Sequence, residues 1–381
     1  MPKHFTFSLP PSIYFGREAW RALDVQEKIA ICIVSKSTYK NDYLISTLVN
    51  IFKASNSTIS FIEKSSGEPS SEIIDSIVKL IPSDCNMILG VGGGSVLDTA
   101  KYIAMLLVSG GVCLDYEYGE REIIGSIPTY LIPTTAGSGS EMTPYSVIQN
   151  SASGRKFTIS DPCMFPNASY IDPELTHQVP LNSSIASGLD AFIHSMEASL
   201  NQIGNPIISP LSQKGLELSF INLPLLSAGF ANDELRSNLS FASLLGGYSI
   251  SHVRTGLIHT ISVAIAEYTQ ESHGLLNARV LPYAIRYNIQ HFNGLLAQII
   301  NQSTQQNFVS DIEAATYLIE WIEDILKAVQ LKEITNNSIG ENIDHLCDRV
   351  LQDKTLPHVN PAPIDRDTLA RMFREMSING I

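Results

Sequence analysis

The stretch MILGVGGGSVLDTAKYIAMLL, Met87 to Leu107, decides how this chain is read. Its first five residues carry no charge and read as a buried strand. Gly92, Gly93 and Gly94 follow, and then Val96, Ala100, Ile103, Ala104 and Leu107 recur at helical spacing. A strand that turns through glycines into a helix leaves the first helical N–H groups pointing outward. Those donors, with the positive end of the helix dipole, bind phosphate oxygens. A Cβ at these positions would hold a pyrophosphate away from the backbone. Ser95 and Asp98 fit the pattern of a capping box for the same helix. The plain alternative is a tight turn with a capped helix, and the neighbouring motifs decide between the two.

Outward from this stretch, strand-like and helix-like segments alternate. Ile29 to Val34, Ser57 to Ile62, Thr129 to Pro133, Tyr145 to Ile148 and Ala168 to Ile171 read as strands. Helical patterns lie around Tyr43 to Phe52 and from Glu68 to about Leu80. Alternation of this kind implies a doubly wound, mostly parallel α/β sheet, with ligands at the C-terminal ends of its strands. The dinucleotide fingerprint GxGxxG is absent. After about Gln178 long 3.6-residue patterns take over, near 183–200, 209–226, 237–251, 312–329 and 366–377. The chain is therefore divided into an α/β domain, 1–178, and an all-α domain, 179–381. Asn301 to Asn307 reads as a polar surface loop.

Composition narrows the function classes. A chain of 381 residues suits two domains, and 44 % hydrophobic with 17 % charged residues marks a folded globular protein. A net charge of −13 argues against nonspecific binding to nucleic acid or to an anionic membrane. No apolar run reaches the roughly 18 residues of a membrane span, and the N-terminal residues lack the apolar core of a signal peptide. Cys32, Cys85, Cys113, Cys163 and Cys347 are scattered, with no CxxC pair, as in a reducing compartment. A cytoplasmic protein is expected.

Four stretches could do chemistry. Pro133 to Thr143, PTTAGSGSEMT, offers hydroxyls and glycines directly after a strand. Asp190 and His194 are four apart and share a face on a helix. His259 and His273 complete one carboxylate and three imidazoles, a sufficient donor set for a divalent metal. Taken singly, each histidine is as well explained by an ordinary hydrogen-bonded core or surface role. Spacing alone does not show that the four converge.

The ordered set of motifs resembles the iron-containing (group III) alcohol dehydrogenases, relatives of glycerol dehydrogenase and dehydroquinate synthase. GGGSVLDTAK is similar to that family's GGGSxxDxAK, PTTAGSGSE to PTTAGTGSE, and GLDAFIHSMEA to GMDALxHAxEA. His259 and the string His273-Gly274-Leu275-Leu276-Asn277-Ala278 stand where the family has its last two metal histidines. Phe15-Gly16, Asp172-Pro173-Glu174-Leu175 and Asn360-Pro361 extend the match along nearly the whole chain.

The resemblance implies a nicotinamide cofactor, NADP or NAD, and one divalent metal, iron or zinc, in a cleft between the domains. It places the pyrophosphate on Gly92, Gly93, Gly94 and Ser95, and Asp98 near the nicotinamide. Thr134, Thr135 and Ser140 would line the nucleotide, and Lys156 would reach the ribose. Asp190, His194, His259 and His273 would hold the metal, whose Lewis acidity assists hydride transfer to or from a small alcohol or aldehyde. A homodimer or higher homo-oligomer is expected, with no nucleic-acid or membrane partner. Dehydroquinate synthase-like lyase chemistry is the alternative, and a specialised descendant with weak turnover is a third reading.

Three departures stand out. Val263 occupies the place of a further family histidine, four residues after His259. After the first nucleotide-binding strand the chain reads Val34-Ser35-Lys36-Ser37, with no acidic residue for a ribose 2′-hydroxyl, so Ser35 and Lys36 are candidates for a 2′-phosphate. His252 and Arg254, expected on one helix with His259, replace small uncharged residues; Arg254 is either an ordinary surface or ion-paired residue or, with His252, a candidate for an acidic group on the substrate.

Overall fold

β-branched and apolar runs build the first half of the chain, and their placement fixes where a ligand can bind. The computed structural model describes residues 5–331 and 339–379. The described residues form two compact units, one of Ser8–Val179 and a second of residues 5–7 together with those from Pro180 onward.

In the first unit β1 (Ser12–Phe15), β2 (Ile29–Ser35), β3 (Thr58–Lys64), β4 (Met87–Gly92), β5 (Thr129–Pro133) and β8 (Ala168–Ile171) form one sheet. The order is β1-β8-β5-β4-β2-β3, and every pair is parallel. β4 is buried at all of its residues, which accounts for its uninterrupted apolar sequence. From β2 the chain passes to β3 on one side and then returns to β4 on the other. The strand order therefore reverses between β2 and β4, which end at Ser35 and Gly92, and open α/β sheets bind ligands beyond the strand ends at such a reversal.

The helices of this unit, α1 (Lys36–Tyr39), α2 (Asp42–Ala54), α3 (Ser71–Val78), α4 (Gly94–Ser109) and α5 (Cys113–Glu117), include the one that opens on the glycine turn. Ala100, Ile103 and Ala104 of α4 are fully buried. The expected capping box is absent: Gly93 is the N-cap, no side chain caps the helix, and the Asp98 carboxylate turns to another strand. The glycine is preferred there because the chain must pass directly from β4 into α4 without a side chain at the turn.

Tyr145 to Ile148 also departs from expectation. It forms β6 (Tyr145–Gln149), which stands apart from the parallel sheet and pairs antiparallel with β7 (Lys156–Ser160). The Asn150 side chain organises the connecting turn by accepting from Ala152 N and Ser153 N, and Gly154 sits at a φ of 74°.

The second unit is helical: α6 (Leu181–Leu200), α7 (Ser209–Ser227), α8 (Asp233–Val253), α9 (Leu257–Ile265), α10 (His273–Asn288), α11 (Leu295–Thr304) and α12 (Asp311–Leu326). Ile343–Leu351, Leu356–Val359 and Arg366–Asn379 add three more helices. The stretch Asn301 to Asn307 is only half a loop. Its first residues form the last turn of α11, and Asn301 accepts from Phe308 N at 2.7 Å to close the helix. Among the described residues no helix is long and apolar enough to cross a membrane.

Asp172, which follows β8, ties the N-terminal segment to the sheet. Its Oδ2 accepts from Trp20 Nε1 at 3.0 Å and Glu18 N at 2.9 Å, and its Oδ1 from Glu174 N at 3.0 Å. Asp172 and Trp20 are both almost fully buried. Asp172→Ala is expected to lower unfolding free energy by about 2–4 kcal/mol, since it orphans a buried indole N–H together with two backbone donors. Denaturant titration checks this, and a loss below about 0.5 kcal/mol would contradict it.

Candidate metal centre and nucleotide-binding loops

α6 carries Asp190, His194 and Glu197 at i, i+4 and i+7, so the three project from one buried face. α9 supplies His259. α10 supplies His273 at its first residue and Asn277 one turn later. One ligand atom each from Asp190, His259 and His273 lies within 4.8 Å of the others. Asp190 Oδ1 is 3.6 Å from His259 Nε2 and 3.9 Å from both His273 Nε2 and His194 Nε2. The His194 ring stacks on His259 with centroids 4.7 Å apart, so His194 stands beside the tight group of three.

Close approach of α10 to α6 makes this possible. A Cβ added at Gly274 would lie 1.9 Å from the Ala186 carbonyl oxygen, so any larger residue after His273 would push α10 away from Asp190.

Glu197 orders the far side of His259. It accepts the Nδ1 proton at 2.6 Å, and its two oxygens also accept from Gly256 N at 2.9 Å and Ile258 N at 2.7 Å. With Nδ1 as donor, Nε2 is directed at Asp190 and His273. Burial opposes charge on all three groups, but mutual attraction outweighs it. Asp190 and Glu197 are held below the usual carboxylate range by the histidines and the backbone donors. The two carboxylates in turn hold His259 up at about 9. Asn277 closes the group. Its Nδ2 lies 2.9 Å from Asp190 Oδ1, 3.1 Å from His259 Nε2 and 3.2 Å from His273 Nε2. One carboxylate oxygen and inward-facing imidazole nitrogens are a donor set that fits divalent iron or zinc.

In the other unit the glycine turn lies against the hydroxyl-rich loop that follows β5. Thr134 N donates to Gly92 O at 2.9 Å, and a Cβ on Gly94 would sit 2.6 Å from Ser138 Oγ. Lys101, fully buried on α4, fastens this loop from below. Its ammonium donates to the carbonyls of Ser140 at 2.9 Å, Thr143 at 3.2 Å and Tyr145, and pairs with Asp98 at 3.2 Å. Burial pulls the Lys101 pKa down and pushes the neighbouring Glu141 carboxyl up to about 7.

Several expected site residues have other partners. Both oxygens of Asp98 are committed, Oδ1 to Ser140 Oγ and Lys101, Oδ2 to Val147 N at 2.9 Å. Asp98 and buried Ser140 therefore position the loop. Thr134 and Thr135 are half-buried, as are Gly93, Gly94 and Ser95 at the start of α4. Lys156 on β7 pairs with Glu68 at 2.7 Å. Ser35 N-caps α1 by accepting from Thr38 N, and Lys36 is exposed at the first residue of α1. Half-buried Val263 shares α9 with His259.

His252 and Arg254 do not share a helix with His259, contrary to expectation. α8 ends at Val253, and Arg254 is its C-cap at φ 66° and ψ 167°, a backbone conformation that cannot continue the helix. His252 stacks on Phe7 with centroids 5.2 Å apart, and its Nδ1 lies 2.9 Å from Tyr248 O. Glu197, Asn277 and Lys101 have roles in these sites that the motif reading did not assign. The spacing Asp190, His194, Glu197 and the i, i+4 pair His273, Asn277 carried the signal for two of them.

Because His259 is held up at about 9, an incoming metal must displace its proton at neutral pH. Metal affinity is therefore expected to rise by about tenfold per pH unit between pH 7 and 9 from this group alone. Chelator competition across that range measures it, and a flat profile would contradict the arrangement.

The model of iron-containing alcohol dehydrogenases matches residues 10–173, and that of the C-terminal part of the same family matches residues 184–377. Sulfoacetaldehyde reductase of Bilophila wadsworthia is 28% identical over 294 residues, 76% of each chain. NADPH-dependent butanol dehydrogenase of Clostridium saccharobutylicum is 24% identical over 387 residues, 96% of each chain. Among solved structures, a 1,3-propanediol oxidoreductase superposes with a TM-score of 0.87 at 23% identity, over 98% of this chain and 100% of the other. With both family segments matched in order and the donor set of a divalent metal assembled in the second, this chain belongs to the iron-containing alcohol dehydrogenase family.

Proposed function

We propose that the protein transfers hydride between a nicotinamide cofactor and a small alcohol or aldehyde, using NADPH at least as well as NADH. The convergence of Asp190, His259 and His273 within 4.8 Å carries this reading. When bound, a divalent metal supplies Lewis acidity toward the substrate oxygen, and the nicotinamide carries the hydride. Asp190, His194, His259 and His273 hold the metal, and Glu197 keeps His259 Nε2 directed at it. Gly92, Gly93, Gly94 and Ser95 receive the pyrophosphate at the start of α4, and Thr134 and Thr135 line the nucleotide. Lys101 and Asp98 keep the second loop in place from behind.

Val263 offers no proton and makes its side of the site drier. General acid–base assistance is typically worth ~10²–10⁴-fold, so turnover is modest compared with a site that has a histidine there. Five free cysteines suit a reducing, cytoplasmic setting. The edge strand β1, with Ile13, Tyr14 and Phe15 all exposed, supports self-association of the chain.

Cofactor preference follows from the end of β2. Val34-Ser35-Lys36 presents no carboxylate to repel a 2′-phosphate, and Lys36 is exposed there. Measured kcat/KM is expected to be at least as high with NADPH as with NADH, and a clear preference for NADH would contradict it.

An acidic group on the substrate is the finer proposal. It is supported by exposed, cationic Arg254, held at φ 66° two residues before the Gly256 backbone that Glu197 fixes. The similarity to a relative named sulfoacetaldehyde reductase points the same way. Arg254→Ala is expected to raise KM for an anionic aldehyde by about tenfold or more while leaving a neutral one within about twofold. Equal effects on both return Arg254 to a helix-capping role.

A further inference from the structure

Arg236 lies in the first turn of α8 and is only 6 % exposed. A buried guanidinium is costly unless a negative group sits beside it. Here Nη1 donates to the hydroxyl of Ser184 on α6 at 2.8 Å, and Nε is buried with no hydrogen-bond partner among the described residues. Burial alone acts on the Arg236 pKa, and it acts downward, with no described carboxylate to oppose it. Asp233 and Glu234 precede Arg236 on α8, but both are exposed and neither forms an ion pair with it among the described residues.

The group that Arg236 reaches stands on a positive helix end. α6 runs for 20 residues, and its N-terminus has no side-chain cap and no acidic residue in the first turn. Its first intrahelical bond joins Ser184 N to Pro180 O at 2.8 Å, which leaves the N–H groups of Leu181, Asn182 and Ser183 ahead of it. These three residues are exposed, so the turn opens to solvent. Side chains on a helix lean toward its N-terminus, so the bond to Ser184 brings the guanidinium beside this turn. Two positive features, a helix end and a buried arginine, meet there, and neither brings a carboxylate. We propose that the first turn of α6 and Arg236 together form a binding site for a small tetrahedral oxyanion, a phosphate ion or a phosphate monoester. The exposed N–H groups take the oxygens of the anion, Arg236 supplies charge from beneath, and Ser184 holds the guanidinium in place. The site draws on neither the metal nor the nucleotide reading.

The test compares wild type, Arg236→Met and Asn182→Asp as full chains. Melting temperature is read in phosphate-free buffer and in sodium phosphate, with sodium chloride holding the ionic strength equal. Methionine keeps much of the apolar length of the side chain and removes the charge. The second variant puts a carboxylate on the first turn of α6 without enlarging the side chain. The glycine turn of the other unit would also take phosphate, so the difference between chains in the phosphate-induced rise is what decides. Wild type should rise by about 3 °C more than either variant in phosphate at about ten times its Kd. Without phosphate both variants should melt at or above the wild-type temperature, because one removes an uncompensated charge and the other compensates it. Methyl phosphate separates the two sources: a larger rise than with phosphate marks an ester-borne group, and an equal or smaller one marks the free ion. A rise in either variant equal to that of wild type would overturn the site, as would an Arg236→Met chain destabilised by the same amount in both buffers. If Arg236→Met does not fold, Asn182→Asp decides by itself.

Discussion

The ligand cluster depends on a carboxylate that is not one of its ligands. Glu197 takes the Nδ1 proton of His259 and, with the same two oxygens, the N–H groups of Gly256 and Ile258. A buried carboxylate is costly unless its lone pairs are filled, and here backbone and imidazole fill them. The consequence is positional. The first turn of α9 is locked to α6, the tautomer of His259 is set, and its Nε2 has one direction in which to point. Without Glu197 the Gly256 and Ile258 N–H groups would lose their acceptor and His259 Nδ1 its partner.

The α/β unit solves a similar problem with the opposite charge. Buried Lys101 satisfies three backbone carbonyls of the loop after β5, as Glu197 satisfies two N–H groups at the start of α9. In each unit a single charged side chain on a long, well-packed helix fastens an irregular segment that carries functional groups. Glycine provides the remaining condition in both units, through the contact of Gly94 with Ser138 and of Gly274 with Ala186. Rigid helices set the positions, and buried charge transmits them to the loops.

The parallel sheet, the glycine turn and the helical second half were legible in the sequence because each leaves a local period or an unbroken apolar run. The family motifs carried the donor set, although spacing alone left four residues between 190 and 273 unconnected. Two kinds of feature escaped. β6 looks like any other strand, and only the pairing with β7 across the Asn150 turn removes it from the main sheet. The capping box at Ser95 and Asp98 matched a pattern, yet the Asp98 carboxylate gained more from Val147 N, Ser140 and Lys101 than it could from its own helix end. Arg254 failed for a related reason: an apolar period that resumes after a gap does not reveal that one residue adopts φ 66° and splits the helix in two. Such outcomes are decided by tertiary partners that sequence spacing does not name.

The role of Glu197 is open to one direct measurement, the metal affinity of Glu197→Gln by chelator competition, with circular dichroism to show that the helical unit is folded. Glutamine keeps the volume and one acceptor but cannot serve His259 and two N–H groups as the carboxylate does. The account predicts a folded chain whose metal affinity falls by about 10–100-fold. Wild-type affinity in a folded Glu197→Gln chain would contradict it.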